Sequence, residues 1–333
     1  MKDISRNIIK LLLIAILPLF IWSCLKEDTD DCGVYLEFIY DYNMEYSNTF
    51  EKNVDVVDVF VFDADGKYLF ANHSPREQLM RGKRMSLFRD MAFGSYKILT
   101  VGGLSDKFSI SAADGNNFVV GATTIEDVRI ALERQSEIVP HEFPPIWVAE
   151  PLTITYDDPL AIYKVNLIKD TNRFNLKLIK RDEETPSPSE NAFSFEIETP
   201  EGAVYGYDNS PLSKEKVTYK AYSLTPGTGS ENMSTGLINT VRLFYGSDYK
   251  YKLSIRHVDS GKIVWYYDLM KLLEETKKAN PEIASLPMQE YLDRQSEWNL
   301  EVLYKGDASD PESFIAVGVI VNNWIVWLHN IEV

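Results

Sequence analysis

From Gly33 onward the chain alternates between apolar and polar positions. Val34, Leu36, Phe38 and Tyr40 alternate with Tyr35, Glu37, Ile39 and Asp41, the period-two pattern of a half-buried strand. Val57, Val59 and Val61 share one face of the next run, with Asp58, Phe60 and Phe62 opposite. Asp63-Ala64-Asp65-Gly66 then punctuates before Lys67-Tyr68-Leu69-Phe70, which predicts a hairpin with Gly66 supplying a positive φ. Tyr96 to Val101 is a further strand, ended by Gly102-Gly103. Thr124 to Arg134 holds Ile125, Val128 and Leu132 near helical spacing and predicts one short helical piece. Ile146 to Tyr156 closes the first half, and Pro144, Pro145 and Pro151 confine it to edge or bent positions.

The turn cluster Asp157-Asp158-Pro159 divides the chain. Beyond it, strand patterning runs from Tyr163 to Ile179 and through Phe193, Phe195 and Ile197. It resumes at Tyr249, Tyr251, Leu253 and Ile255, at Ile263 to Tyr266, and at Trp298, Leu300, Val302 and Tyr304. The acidic, Pro/Ser-rich segment 182–190 and the segment 225–234 predict loops. One helix is expected from an N-cap at Asp268 to about Ala279, before Pro281, with Leu269, Leu272 and Leu273 as its apolar stripe. The last 20 residues alternate through Val317, Val319 and Val321 to Ile325, Trp327 and Ile331. No internal repeat is present. The pattern predicts an all-β chain of two β-sandwiches, residues 33–158 and 159–333, each of about seven short strands, with one or two short helices in the second.

The first 32 residues have a different character. Lys2, Arg6 and Lys10 precede the apolar run Leu11 to Trp22, which contains Pro18. Spanning a bilayer takes about 20 apolar residues, so this shorter run reads as the core of a signal peptide, residues 1–23. It closes on Ile21-Trp22-Ser23-Cys24, a bacterial lipobox in which cleavage before Cys24 frees that residue for acylation. Several hydrocarbon chains on one Cys give stable anchoring where a single chain does not. Pairing of Cys24 with Cys32 in a small disulfide loop is the alternative, since export implies an oxidising compartment. Residues 24–32 form an acidic tether, and its Leu25-Lys26-Glu27-Asp28-Thr29-Asp30-Asp31 resembles the signal that sends Bacteroidetes lipoproteins to the outer face of the outer membrane.

Composition narrows the function classes. The 333 residues carry 34 Lys+Arg against 50 Asp+Glu, a net charge of −16, which excludes nucleic-acid binding through clustered cations and electrostatic docking on anionic lipid. Removing the signal peptide makes the remainder two charges more negative, because Lys2, Arg6, Lys10 and Asp3 leave with it. Hydrophobic residues at 45% argue against wholesale disorder. Aromatic residues at 12%, including 19 Tyr and 16 Phe, suit strands.

Candidate chemistry is sparse. Asp63-x-Asp65-Gly66 resembles the opening of a calcium loop, but position twelve is Ser74 instead of a bidentate Glu, which favours a plain turn. His73, His141, His257 and His329 are scattered without zinc-ligand spacing. No nucleophile elbow, Walker loop or dinucleotide fingerprint occurs, and Thr228 in Pro226-Gly227-Thr228-Gly229 lacks a following Lys. The expected site list is therefore Cys24 for lipid, with no catalytic, metal or cofactor residue and no cofactor beyond the covalent lipid. Trp147, Trp265, Trp298, Trp324 and Trp327 motivate a second reading, a glycan-binding surface lipoprotein with aromatic platforms. An enzyme with a non-local carboxylate pair is the third.

Four segments in order resemble the FimB/Mfa family of fimbrial anchor subunits: Val34 to Met44, Val57 to Lys67, Tyr96 to Leu104 and Asn323 to Val333. They span essentially the whole mature chain, and none is a catalytic signature. The resemblance implies two tandem transthyretin-like β-sandwich domains. It implies a non-catalytic lipoprotein at the outer membrane, surface-exposed, that anchors or assembles a fimbrium. It also implies fimbrial shaft subunits as partners, joined by β-strand addition. The C-terminal run is a candidate interaction strand and equally a candidate last core strand.

Overall fold

The computed structural model describes residues 33–80, 83–88, 92–158, 160–181, 192–225, 233–307 and 309–328. Residues 1–32, with the signal peptide, Cys24 and the acidic tether, lie outside the described residues, as do 329–333. The first half runs β1 (Gly33–Ile39), α1 (Phe50–Asn53), β2 (Val56–Phe62), β3 (Tyr68–Pro75), β4 (Arg84–Phe88), β5 (Gly94–Gly102), β6 (Phe108–Ser111) and β7 (Arg129–Leu132). It continues through β8 (Ile138–Val139), β9 (Trp147–Ala149), β10 (Leu152–Tyr156) and β11 (Leu160–Lys169). The second half holds β12 (Thr171–Lys180), β13 (Phe193–Thr199), β14 (Val204–Tyr205), β15 (Val217–Lys220), β16 (Ser223–Thr225) and β17 (Met233–Val241). It ends with β18 (Lys252–His257), β19 (Ile263–Asp268), α2 (Leu269–Ala279), α3 (Met288–Arg294), β20 (Glu297–Lys305), β21 (Ile315–Val321) and β22 (Trp324–Trp327).

Alternation along each strand sorts side chains to two faces, and the sheets close over them. The first sheet has the order β3-β2-β5-β9-β11-β1-β4, with β10 also on β5. Its long strand β11 pairs in parallel with β1 through Leu160 to Asn166, then antiparallel with β9 through Leu167 to Lys169. The sheet thus curls around β11 and encloses Val34, Leu36, Phe38, Val57, Val59, Val61, Ile98 and Leu167. The second half stacks a six-stranded sheet, β16-β17-β12-β20-β21-β22, on a five-stranded sheet, β19-β18-β13-β15-β8. Phe174, Leu176, Leu178, Phe195, Ile197, Leu253, Leu300 and Val302 fill the core between them. Burying one such side chain fully contributes roughly 1.5–3 kcal/mol.

The two cores meet at one wall. On β2, Val57, Val59 and Val61 face the first core as the periodicity predicts, while Phe60 and Phe62 on the opposite face belong to the second. Ile98 and Leu99 divide the same way on β5, and Trp147 and Val148 on β9. Both faces of this segment are dry, which explains its nearly unbroken apolar sequence. The two halves are further tied by strand pairing. β8 from the first half joins the second half's five-stranded sheet in parallel with β15, and β7 pairs with β14. The sequence reading divides the chain at 157–159; in the structure β11, just past that turn, pairs within the first sheet, and Asp170 alone separates it from β12.

Local expectations meet the structure in instructive ways. Gly66 has φ of 82°, and Asp63 Oδ1 accepts from the Lys67 backbone N–H at 2.8 Å. The Asp63 carboxylate therefore braces a hairpin. Gly103 adopts φ of 77°, and a Cβ there would lie 2.5 Å from the Pro145 carbonyl oxygen, so no other residue fits without backbone movement. Asp268 caps α2 by accepting from the Lys271 N–H at 3.1 Å, and the helix ends at Ala279 as predicted. The helical piece expected at 124–134 is only a 3₁₀ turn, Ile125–Asp127, with a capping box between Thr124 and Asp127. Val128, Ile130 and Leu132 then continue into β7 as buried alternate positions, because that spacing serves a strand as well as a helix. Pro151 splits the expected Ile146–Tyr156 strand: β9 pairs on both sides, with β5 and β11, while β10 keeps one open edge.

A buried polar network lies near the point where the chain crosses, and Arg294 beside it ties the second half to the first. Arg242 donates to both carboxylate oxygens of Asp293, at 2.8 and 2.9 Å, and Gln289 Nε2 donates to Asp293 Oδ1 at 2.9 Å. Asn209 Nδ2 donates to the fully buried Asp170 at 2.9 Å, and desolvation raises that carboxyl to about 7. From α3, Arg294 donates to the backbone oxygens of Asp41 and Asn43 and lies over the rings of Tyr42 and Tyr46 at 4.2 and 4.6 Å. A second buried acid, Glu201, is pushed up to about 8, by desolvation above all, and its carboxylate oxygens have no hydrogen-bond partner among the described residues.

Two predictions follow from these buried charges. Asp293→Ala strands a buried guanidinium, so urea unfolding is expected to show a loss of about 3–5 kcal/mol; a loss below 1 kcal/mol contradicts the network's role. For Glu201, the unfolded chain releases the proton near 4.5 and the folded chain near 8. The folded state binds more protons in that window, so this group's contribution is full below 4.5 and is lost as pH rises through about 8. Glu201→Gln should flatten the fall in unfolding free energy across the window, and equal slopes in both proteins would refute the assignment.

Candidate assembly surface

Among the described residues no cluster of His, Cys, Asp and Glu could hold a metal ion, and none of the helices is long and apolar enough to cross a membrane. The described histidines are occupied locally or stand apart. His73 Nδ1 contacts Asp58 Oδ1 at 2.8 Å on neighbouring strands β3 and β2. His257 closes the β18–β19 turn against Ser260 at 2.9 Å. Asp58 is raised by burial, against the lowering contact with His73. These geometries support structure, and His329 lies outside the described residues.

The second sandwich presents a different kind of feature: two outer strands without a further strand beside them among the described residues, next to an apolar groove, with α2 close against β22. β22 is the outer strand of the six-stranded sheet and β19 the outer strand of the five-stranded one. Along β19 and the start of β21 runs a groove of about 400 Å³ lined by Trp265, Tyr267, Phe314, Ala316 and Leu328, among others. Ile315 and Trp327 stand 61% and 54% exposed at its margin, with Tyr266 and Ile263 also exposed. On the sandwich side Phe314 stacks on Tyr304, with ring centroids 4.9 Å apart. Trp265 lies parallel to Tyr267, two residues along the same strand, at 6.1 Å.

The local sequence explains this placement. Asn322 and Asn323 take left-handed φ values of 46° and 72°, which reverse the chain tightly after β21. β22 pairs back on β21 from Val321↔Trp324 to Gly318↔Trp327, and its outer edge has no strand beside it among the described residues. The continuous alternation expected from Phe314 to the C-terminus therefore breaks: Val319 and Val321 are fully buried, while Trp324, Ile325 and Trp327 are exposed. The tryptophan reading sorts the same way. Trp147, Trp265 and Trp298 are buried in the two cores, whereas Trp324 and Trp327 face outward on an edge strand. Sequence reasoning marked the C-terminal run but missed its partner edge; Ile263-Val264-Trp265-Tyr266-Tyr267, five apolar residues in a row, was the available signal.

Chemically such a surface can do one thing well. An edge strand offers unpaired backbone N–H and C=O groups, and the apolar groove offers pockets for alternate side chains of an added strand. The bulk of the surface carries charge ladders instead, as on the outer face of the five-stranded sheet, where Arg256 grips Glu196 through two bonds at 3.0 and 2.9 Å. Those ladders blunt association elsewhere on the sandwich.

No curated protein matches the chain. A family model described as fimbrillin-A associated anchor proteins Mfa1 and Mfa2 matches residues 28–330. Among solved structures, a provisionally assigned adhesin from Bacteroides ovatus is 41% identical over 90% of this chain and 97% of its own, with a TM-score of 0.81. A provisionally assigned polysaccharide-binding protein from Bacteroides thetaiotaomicron is 27% identical, covering 90% and 98%, with a TM-score of 0.75. The fimbrial anchor protein Mfa2 from Porphyromonas gingivalis shares the fold at 18% identity, covering 89% and 99%, with a TM-score of 0.67. With the family model covering residues 28–330 of the 333, the chain belongs to the family of fimbrillin-A associated anchor proteins.

Proposed function

We propose that the chain is a non-catalytic lipoprotein that ties a fimbrium to the outer membrane at the cell surface and receives shaft subunits by β-strand addition. The observation that carries the assembly half of this reading is the pair of outer strands, β19 and β22, with exposed aromatic and aliphatic side chains near an apolar groove lined by β19. A shaft strand laid along either edge completes a backbone ladder and buries aromatic side chains that now face solvent. The membrane half rests on Cys24, at the end of an apolar run too short to span a bilayer. Acyl chains on Cys24 hold the protein by hydrocarbon, while the acidic exterior keeps the remainder soluble and off anionic headgroups.

The two halves of the proposal are tested separately. Radiolabelled palmitate should enter the wild-type chain and not Cys24→Ala, which should also leave the membrane fraction; equal labelling of both sinks the lipid anchor. A double variant, Ile325→Lys with Trp327→Lys, places charge on the exposed edge. It should fold with a stability change within about 0.5 kcal/mol, as surface substitutions do, yet lose capture of shaft subunits in a pull-down. Undiminished capture would exclude this edge as the docking strand.

A further inference from the structure

The junction between the halves holds a second feature, independent of the assembly edge. A cleft of about 580 Å³ opens where β11 hands over to β12, a volume within the ordinary range for small-molecule sites. One wall is apolar and rigid, formed by Pro144 and Pro145. The other is polar, with Asn172, Arg173 and Asn239 from the six-stranded sheet facing Glu142. Lys169 also lines it but is paired to Glu297 at 3.2 Å, so its charge is balanced.

Three observations say what kind of ligand fits. First, the cleft's two cations and two anions cancel, in a chain whose net charge is −16. A charged ligand gains little there, and an anion is repelled at long range. Second, the groups present suit hydroxyls. Amides both donate and accept, a carboxylate accepts from adjacent hydroxyls, and a guanidinium donates from a planar fork. Exposed Arg173 has no carboxylate partner among the described residues and, like Glu142 at 3.5 Å, meets the Tyr222 hydroxyl. Third, Pro144 and Pro145 line the cleft with an apolar wall against which the C–H face of a sugar ring can pack.

We infer that this junction cleft is a binding site for a neutral oligosaccharide, with Arg173, Glu142 and Asn239 as its hydroxyl-reading side chains and the Pro144-Pro145 wall packing against the sugar's C–H face. The buried tryptophans have no part in it; Trp147 lines the cleft at 3% exposure and cannot present a ring face. The site uses both halves of the molecule, and the Lys169–Glu297 pair at its margin joins the two.

The test is retention of the full-length chain on an immobilised panel of neutral and acidic oligosaccharides, compared with Arg173→Ala and Glu142→Gln. Both substitutions are at exposed positions, and circular dichroism with a thermal midpoint checks that the variants fold. Wild type should bind at least one neutral member, and each variant should weaken that binding ten-fold or more. Ile325→Lys with Trp327→Lys, which alters only the assembly edge, should bind the same member unchanged. Retention of acidic members alone, equal binding by the cleft variants, or no retention on any member overturns the inference. Loss of shaft-subunit capture in the edge variant is read separately and does not bear on it.

Discussion

A single wall of backbone, β2 with β5 and β9, is buried on both faces, and the remaining architecture is arranged around that constraint. Val57, Val59 and Val61 seal the first core, and Phe60, Phe62 and Val148 seal the second. A strand dry on both sides has no tolerance for a register slip, since shifting by one residue would exchange valine and phenylalanine faces of different volume. The halves therefore cannot rotate freely as beads on a string do. The strand pairings β8–β15 and β7–β14 and the bonds from Arg294 to the Asp41 and Asn43 carbonyls reinforce the same joint. For the membrane-to-fimbrium tether proposed above, a stiff joint is the useful property.

Stiffness at the joint leaves association to the distal edges. The second sandwich concentrates its exposed apolar side chains on β19, β21 and β22, while its sheet faces carry paired charges such as Glu196 with Arg256. An exposed hydrophobic edge is a hazard unless it has a partner, and proteins blunt such edges when they are meant to stay free. The contrast between a charged face and outer strands rich in exposed apolar side chains within one sandwich is the physical ground for reading that side as an interface.

Much of this was legible in the sequence, for identifiable reasons. Period-two patterning located β1, β2, β5, β13 and β18, because each has at least one buried face that must be apolar. The capped helix α2 was legible because Asp268 and Pro281 mark its ends. The turn at Asp63 was legible because only glycine comfortably takes the φ adopted at Gly66. What stayed hidden depends on pairing between distant segments. No local pattern says that β11 pairs with β1 across more than a hundred residues, that Pro151 cuts a strand whose first part is interior, or that β22 folds back to an edge. The 3₁₀ turn at Ile125 shows the remaining ambiguity, since apolar spacing of three and four residues fits a helix until tertiary pairing claims alternate positions for β7. The assembly groove was half visible, in its C-terminal strand, and the junction cleft not at all, because its walls come from segments far apart in the chain.

The central claim, that shaft subunits add to the distal edge of the second sandwich, is tested most directly by hydrogen exchange of the full-length chain with and without a bound shaft subunit. The account predicts slowed exchange confined to backbone amides of β19, β21 and β22, with the first half unchanged. Protection that leaves these strands untouched and falls instead on β3 or β4, the edges of the first sheet, would contradict it.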